Sequence, residues 1–360
     1  MKVLAIIPDS ISNPTGGLGI QFKNLYSNLK DKIDFYISGY PTDTPPQNYI
    51  GVSHPIPTIR HGSINTLLGH SVYLAESLKH PKPDIVHSYD WSTYLSGVYL
   101  AKHYKVPLLL TIQLSAKGLE TVGIYNCLDP KNADGSWLHY THTEIENYGL
   151  SESDKVICVS KSYTKYFNEE INKKIEVIPN GINLDKWKPT GKIKLPGKNK
   201  YKVVYIGRMA LMKSVDLILQ SNIPEGIDLI FVGSEKGGDF GCLDLLSKTL
   251  DIKDNIFYYG SAYDQEKVNL LHSADAIIMP SRHEPFGIVA LEAFASECIL
   301  LSSRVDGLND FCNDSNSILC TPSKEGIELA LYKLKNLSTD KKHKMIQQGL
   351  KTCENYKWDK

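Results

Sequence analysis

Short apolar runs alternate with helix-length stretches along the whole chain. In the first half the runs fall at residues 3–7, 33–37, 84–87, 108–111, 156–159 and 176–178. Their Val, Ile and Leu residues occupy consecutive positions, as in strands covered by helices on both faces. The pattern stops at WKPTGKIKLPGKNK, residues 187–200, which is rich in Pro, Gly and Lys and lacks a periodic apolar face. That stretch reads as an interdomain linker. The pattern restarts at 203–206, 229–232, 256–259, 276–279, 299–301 and 318–319, and residues 338–360 read as helical. Two successive sets of strands predict an α/β protein of two doubly wound, Rossmann-like domains: residues 1–187, a linker at 188–200, and residues 201–360. Ligands of such sheets bind beyond the carboxyl ends of the strands, so two facing domains are expected to enclose a central cleft.

Composition narrows the class. The 360 residues suffice for two cores, and 42% apolar against 22% charged residues places the chain among globular proteins. Lys+Arg and Asp+Glu both number 40, so the balance supplies no electrostatic case for nucleic acid or an anionic membrane as partner. Cysteines at 127, 158, 242, 298, 312, 320 and 353 are scattered, without a C-x-x-C. An odd, unpatterned set fits reduced thiols better than a disulfide frame, and the Cys/His spacing does not suit zinc. The opening run VLAIIP is too short for a signal-peptide core or a membrane span and reads as a buried strand. A cytoplasmic protein is the expectation.

Four motifs lie just after strands. Thr15-Gly16-Gly17-Leu18-Gly19 lets the backbone turn tightly and present N–H groups at a helix start, which suits either a phosphate or a plain strand-to-helix turn. It is not G-x-G-x-x-G, which counts against a nicotinamide dinucleotide. Arg208 and Lys213, five apart across a βα turn, are either two fixed cations for a diphosphate or solvated surface groups. Glu284 and Glu292 flank a Pro-x-Gly turn in SRHEPFGIVALE, with a helix expected from near Gly287. There the N–H groups of Gly287, Ile288 and Val289 can hold phosphate, Glu284 can face a sugar, and Glu292 can accept from a ribose diol. The plainer alternative makes Glu284 a helix-start carboxylate and Glu292 a surface residue. In HSYDW, Asp90 either binds a sugar hydroxyl or caps the following helix, with Trp91 packed beneath.

Together these strings resemble the glycogen/starch synthase family and the neighbouring glycosyltransferase family 4. EPFGIVALEA resembles the group's E-x7-E signature, Arg208/Lys213 its R-x4-K, TGGLG its N-terminal glycine loop and HSYDW its H-x-x-D-W. PNGIN at 179–183 followed by Trp187 resembles its entry to the linker. The resemblance implies the GT-B fold and a retaining, metal-independent hexosyltransferase. Its donor would be a nucleotide-sugar such as UDP-glucose or ADP-glucose, its acceptor a glycan or other hydroxyl compound, with no cofactor. It further implies that Arg208, Lys213 and Glu284 carry catalysis. Gly16, Gly17, Gly19, Gly287, Ile288, Val289, Glu292 and Tyr263 would bind the donor, with Tyr263 stacking on the base. Asp90 and Gln113 would face the sugars.

The chain departs from the family in three places. Gln113 stands where the family has a His after the strand ending TI, so an amide replaces an ionisable ring. Ser214 replaces a Gly after the lysine, where a Ser is expected to suit the helix start. The family continues from an F-x-W-like segment into a long returning helix, and YKWDK stands where that helix would begin. Alternatives are a family 4 transferase with another sugar and a lipid or small-molecule acceptor, a non-catalytic relative that binds a sugar nucleotide or glycan, and a sugar-nucleotide epimerase.

Overall fold

A computed structural model of the chain describes residues 1–9, 11, 17–40, 42, 44–52, 62–123, 135–167, 171, 174–233 and 240–358. They form two compact units, Met1–Asn180 and Gly181–Trp358.

The first unit is built on β1 (Lys2–Ile6), β2 (Asp34–Gly39), β3 (Tyr49–Gly51), β4 (Ile85–Tyr89), β5 (Leu108–Ile112), β6 (Lys155–Cys158) and β7 (Ile175–Val177). The sheet runs β3-β2-β1-β4-β5-β6-β7, and every recorded pairing is parallel. Its helices are α1 (Gly17–Leu29), α2 (Gly62–Ser77), α3 (Trp91–Tyr104), α4 (Ala116–Thr121) and α5 (Gly135–Glu152). The consecutive apolar residues of β1 divide by face. Leu4 and Ile6 enter one core with Tyr94, Val98 and Leu110, while Val3, Ala5 and Ile7 enter another with Phe22 and Phe35. Successive strand residues point to opposite faces, so a strand buried twice is apolar throughout. The six expected strands are all present, and short β3 adds an edge.

The second unit repeats the plan with β8 (Tyr201–Ile206), β9 (Ile227–Val232), β10 (Ile256–Gly260), β11 (Ala276–Met279), β12 (Ile299–Ser303) and β13 (Ser317–Cys320). Its helices are α6 (Val215–Gln220), α7 (Phe240–Leu250), α8 (Asp264–Leu271), α9 (Ile288–Ala295), α10 (Lys324–Lys335) and α11 (Thr339–Cys353). The parallel order is β10-β9-β8-β11-β12-β13. The direction of winding therefore reverses between β8 and β11, as it does between β1 and β4 in the first unit, and a crevice forms at such a switch point.

The two compact units divide between Asn180 and Gly181, ahead of the expected boundary at 187. Gly181 packs under Trp358, where a Cβ would lie 2.9 Å from the indole, and Ile182 N donates to Tyr356 O at 2.7 Å. The stretch expected to be a linker is docked on the second unit. Trp187 Nε1 donates to Ser296 Oγ at 2.8 Å, Thr190 N to Asn269 Oδ1 at 2.8 Å and Ile193 N to Ser273 Oγ at 2.9 Å. Asp228, only 1% exposed, accepts from Asn199 N at 2.8 Å and Lys202 Nζ at 2.5 Å. Polar bonds rather than an apolar stripe hold this segment, which is why it has no periodicity.

Removing the Asp228 carboxylate takes the counter-charge from the mostly buried Lys202 ammonium, which keeps only Pro196 O at 2.9 Å, and the acceptor from Asn199 N. Asp228→Ala is therefore expected to cost about 3 kcal/mol in urea unfolding; a loss below about 1 kcal/mol would mean that water replaces the carboxylate freely.

Candidate active site

In the second unit the loops beyond β8, β9, β11 and β12 carry the chemistry. Gly233 lies so close to the β8 loop that a Cβ there would sit 2.0 Å from the Gly207 carbonyl oxygen. After Gly207 and Arg208 comes a single 3-10 turn, Leu211–Lys213. Arg282 clamps it. Its guanidinium donates to Leu211 O at 2.8 Å and, bidentately, to Asp216 at 2.6 and 2.7 Å, while its backbone N donates to Met212 O at 2.9 Å. Lys213 Nζ thereby reaches Glu284 Oε2 at 2.5 Å, and Ser281 Oγ adds a bond of 3.2 Å to the same oxygen. Two expected catalytic residues are thus paired with each other. Arg208 is exposed, with Nη2 3.6 Å from Met212 Sδ and no recorded carboxylate partner among the described residues.

Glu284 does not cap a helix. It is buried three residues ahead of Gly287, which adopts φ 102° at the N-cap of α9. Ile288 and Val289 form the first turn of α9, whose N–H groups have no intrahelical acceptor. Glu292 is not a surface residue either. It is 4% exposed, Lys267 Nζ meets Oε1 at 2.6 Å, and Oε2 has no partner among the described residues. Lys267 belongs to α8, and Tyr263, 62% exposed, directly precedes that helix.

Ser214 corrects an expectation. It occupies the N-cap of α6 at φ 60°, makes no capping bond, and buries an Oγ without a partner among the described residues. Glycine is the residue that this left-handed conformation favours.

In the first unit Asp90 follows β4 at φ 54° and makes no cap bond. Its Oδ1 instead accepts from Gln113 N at 2.6 Å and Leu114 N at 3.0 Å, fixing the loop after β5. Trp91 stacks on His142, centroids 3.7 Å apart. Gln113 exchanges two amide bonds with Asn180, at 3.3 and 3.2 Å. The amide that replaces the family's histidine is thereby tied to the last residue of the unit. Glu146 holds the next stretch of loop, accepting from Ser115 Oγ and Ala116 N at 2.8 Å each and from Lys117 N at 3.2 Å. Burial pushes the Asp90 carboxyl up to about 7, against the lowering bonds from Gln113 and Leu114. Burial likewise pushes Glu146 up to about 7.

The glycine loop fits its expected role in part at most. Gly16 lies outside the described residues, and Gly17 begins α1. Gly19 is buried and its N–H donates to Asp9 Oδ2 at 3.0 Å, so that amide serves the fold rather than a ligand. Sequence reasoning assigned no role to Arg282, Asn180, Glu146, Lys267 or Asp306. Arg282 and Asn180 stood inside quoted strings; Glu146 and Lys267 carried no local signal. Burial pushes the thiols of Cys298, Cys312, Cys320 and Cys353 up to about 12. Among the described residues no helix is long and apolar enough to cross a membrane, and no cluster of three His, Cys, Asp or Glu residues is placed to hold a metal ion.

Known proteins match this architecture throughout. Residues 15–186 match the Glycosyltransferase Family 4 model and residues 189–352 match Glycosyl transferases group 1. The chain belongs to the GT-B glycosyltransferases. It is 31% identical over 256 residues to a glycogen synthase of Mycobacterium tuberculosis, a match that spans 67% of this chain and 57% of that relative. The fold is shared with sucrose-phosphate synthase from Thermosynechococcus elongatus, at TM-score 0.79 and 18% identity over 99% of this chain and 95% of that one. It is shared also with Anabaena HepE in complex with UDP-glucose, at TM-score 0.72 and 15% identity over 100% and 96%.

Two outcomes follow from the buried loops. Asp90 and Glu146 bind protons more tightly folded than unfolded, from usual values of 3.8 and 4.5 to about 7. Their contribution to stability is therefore complete below the usual values and is lost as pH rises through about 7. Urea unfolding of the wild type, Asp90→Asn and Glu146→Gln at pH 5 and pH 8 should show a smaller loss on going to pH 8 in each variant; equal losses would contradict the assignment. Separately, Ser214→Gly removes a left-handed serine and an orphaned hydroxyl, and should raise unfolding stability by about 1 kcal/mol. A lowered urea midpoint would mean that the hydroxyl has a function.

Proposed function

We propose that the chain is a retaining, metal-independent hexosyltransferase of the glycogen/starch synthase kind, with a glucose nucleotide, UDP- or ADP-linked, as donor. The observation that carries the reading is the Lys213–Glu284 pair of 2.5 Å beside exposed Arg208 and the α9 N-terminus. Two cations and a set of helix N–H groups within one group of strand-end loops suit a departing diphosphate. Glu292 Oε2, buried without a partner among the described residues, is an acceptor suited to a ribose hydroxyl, and exposed Tyr263 is a surface on which a base can stack. HepE, on the same fold, binds UDP-glucose.

In this reading the acceptor hydroxyl oxygen bonds to the anomeric carbon from the face that the diphosphate leaves. The carbon–oxygen bond to the diphosphate breaks, and the hydroxyl proton passes to a phosphate oxygen. Lys213 and Arg208 stabilise the charge gathering on the leaving group, so no metal or cofactor is needed. Glu284 binds sugar hydroxyls, which requires Lys213 to turn part of its charge from Glu284 toward the diphosphate. Asp90 acts through the loop it holds, fixing the Gln113 backbone.

A second reading is a sugar-nucleotide binder without turnover. Its support is Gln113, whose side chain is engaged with Asn180 and cannot ionise.

Titration calorimetry with UDP- and ADP-glucose, followed by donor hydrolysis and transfer assays, separates the readings. Lys213→Ala and Glu284→Ala should keep the wild-type circular dichroism and lose about 10²–10³-fold in turnover. Donor binding with no turnover for any acceptor would favour the binder; no donor binding at millimolar concentration would overturn both.

A further inference from the structure

Among the described residues, non-glycine residues with positive φ include Asp90 at 54°, Ser214 at 60° and Asp306 at 42°, each in a segment that follows a parallel strand. Backbone strain of this kind gathers at functional sites because the surroundings must hold it there. Asp90 already has a task, gripping the Gln113 loop. Asp306 is its counterpart in the second unit.

Asp306 opens the 3-10 turn Asp306–Asp310 beyond β12 and is 2% exposed. Its Oδ2 accepts from Glu284 N at 3.1 Å and lies 2.7 Å from Nδ1 of fully buried His283. The next residue completes the grip, since Gly307 N donates to Glu284 O at 3.0 Å. The approach is so close that a Cβ on Gly307 would stand 2.1 Å from Pro285 O. Both backbone groups of Glu284 are thus taken by residues 306 and 307. On its other side, His283 N donates to Met212 O at 3.3 Å, next to Lys213. A glycine would adopt φ 42° without strain; the carboxylate is what it would lack.

We infer that Asp306 is a positioning residue that sets the backbone of Glu284 and so the register of its carboxylate against Lys213. The inference rests on the catalytic reading of Glu284. It differs from a purely structural role because its effect must vanish when the Glu284 side chain is gone.

The test compares Asp306→Gly and Asp306→Asn in the wild-type and Glu284→Ala backgrounds, with hydrogen exchange read on the segment 281–290. Asp306→Gly should lower kcat/KM about tenfold, mainly through kcat, because small misplacements of reacting groups are costly. Asn tolerates left-handed φ and keeps an acceptor for Glu284 N, so Asp306→Asn should recover activity to within about threefold of wild type. In the Glu284→Ala background Asp306→Gly should change the residual rate by less than about twofold. Exchange across 281–290 should quicken in Asp306→Gly and stay slow in Asp306→Asn. An active wild type with an equally active Asp306→Gly overturns this inference alone, as does an undiminished loss in the Glu284→Ala background. A wild type that turns over no sugar nucleotide overturns the functional reading, and this inference with it.

Discussion

A carboxylate withdrawn from water must find donors, and beyond the strands that carry the candidate site three buried carboxylates find them in loop amides. Asp90 takes Gln113 N and Leu114 N, Glu146 takes Ala116 N and Lys117 N, and Asp306 takes Glu284 N. Loops beyond a parallel sheet have no ladder to satisfy their N–H groups, so the carboxylates supply the acceptors that strands would otherwise provide. The loops carrying Gln113 and Glu284 are held in one conformation as a result. Two of the three carboxylates adopt left-handed backbone to do so.

The second unit adds a layer of cations to this arrangement. Arg282 spends its planar donors on Asp216 and Leu211 O, which leaves it no free role but makes the Lys213 turn rigid. Lys213 then meets Glu284, and Lys267 meets Glu292. Each glutamate of the E-x7-E string is therefore matched by a lysine from a different element. Such pairs aim the buried carboxylates before any ligand arrives, which is preorganisation in the sense that transition-state stabilisation requires.

The first unit differs in kind. Its buried polar loops are held by the Gln113–Asn180 amide pair and by the Asp90 and Glu146 carboxyls, which burial pushes up to about 7. His87, beside Thr111, is pushed down to about 3 by burial.

Fold class, the twelve principal strands and the strings that carry the candidate site were legible in the sequence, because strands buried on both faces are apolar without interruption and because motif residues lie within a few positions of one another. The pairing of Lys213 with Glu284, the burial of Glu292, the grip of Asp306 and the role of Glu146 were not legible. Each joins residues separated by 22 or more positions, and no local pattern encodes which distant amide a carboxylate will meet. The docking of the segment 187–200 was not legible for a related reason: polar bonds to Asp228, Asn269 and Ser273 hold it, and only hydrophobic periodicity announces docking in advance. The sequence by itself thus determined the architecture and which residues bear charge. Tertiary structure decided which of those charges neutralise one another, since that depends on contacts made only when the strand-end loops converge.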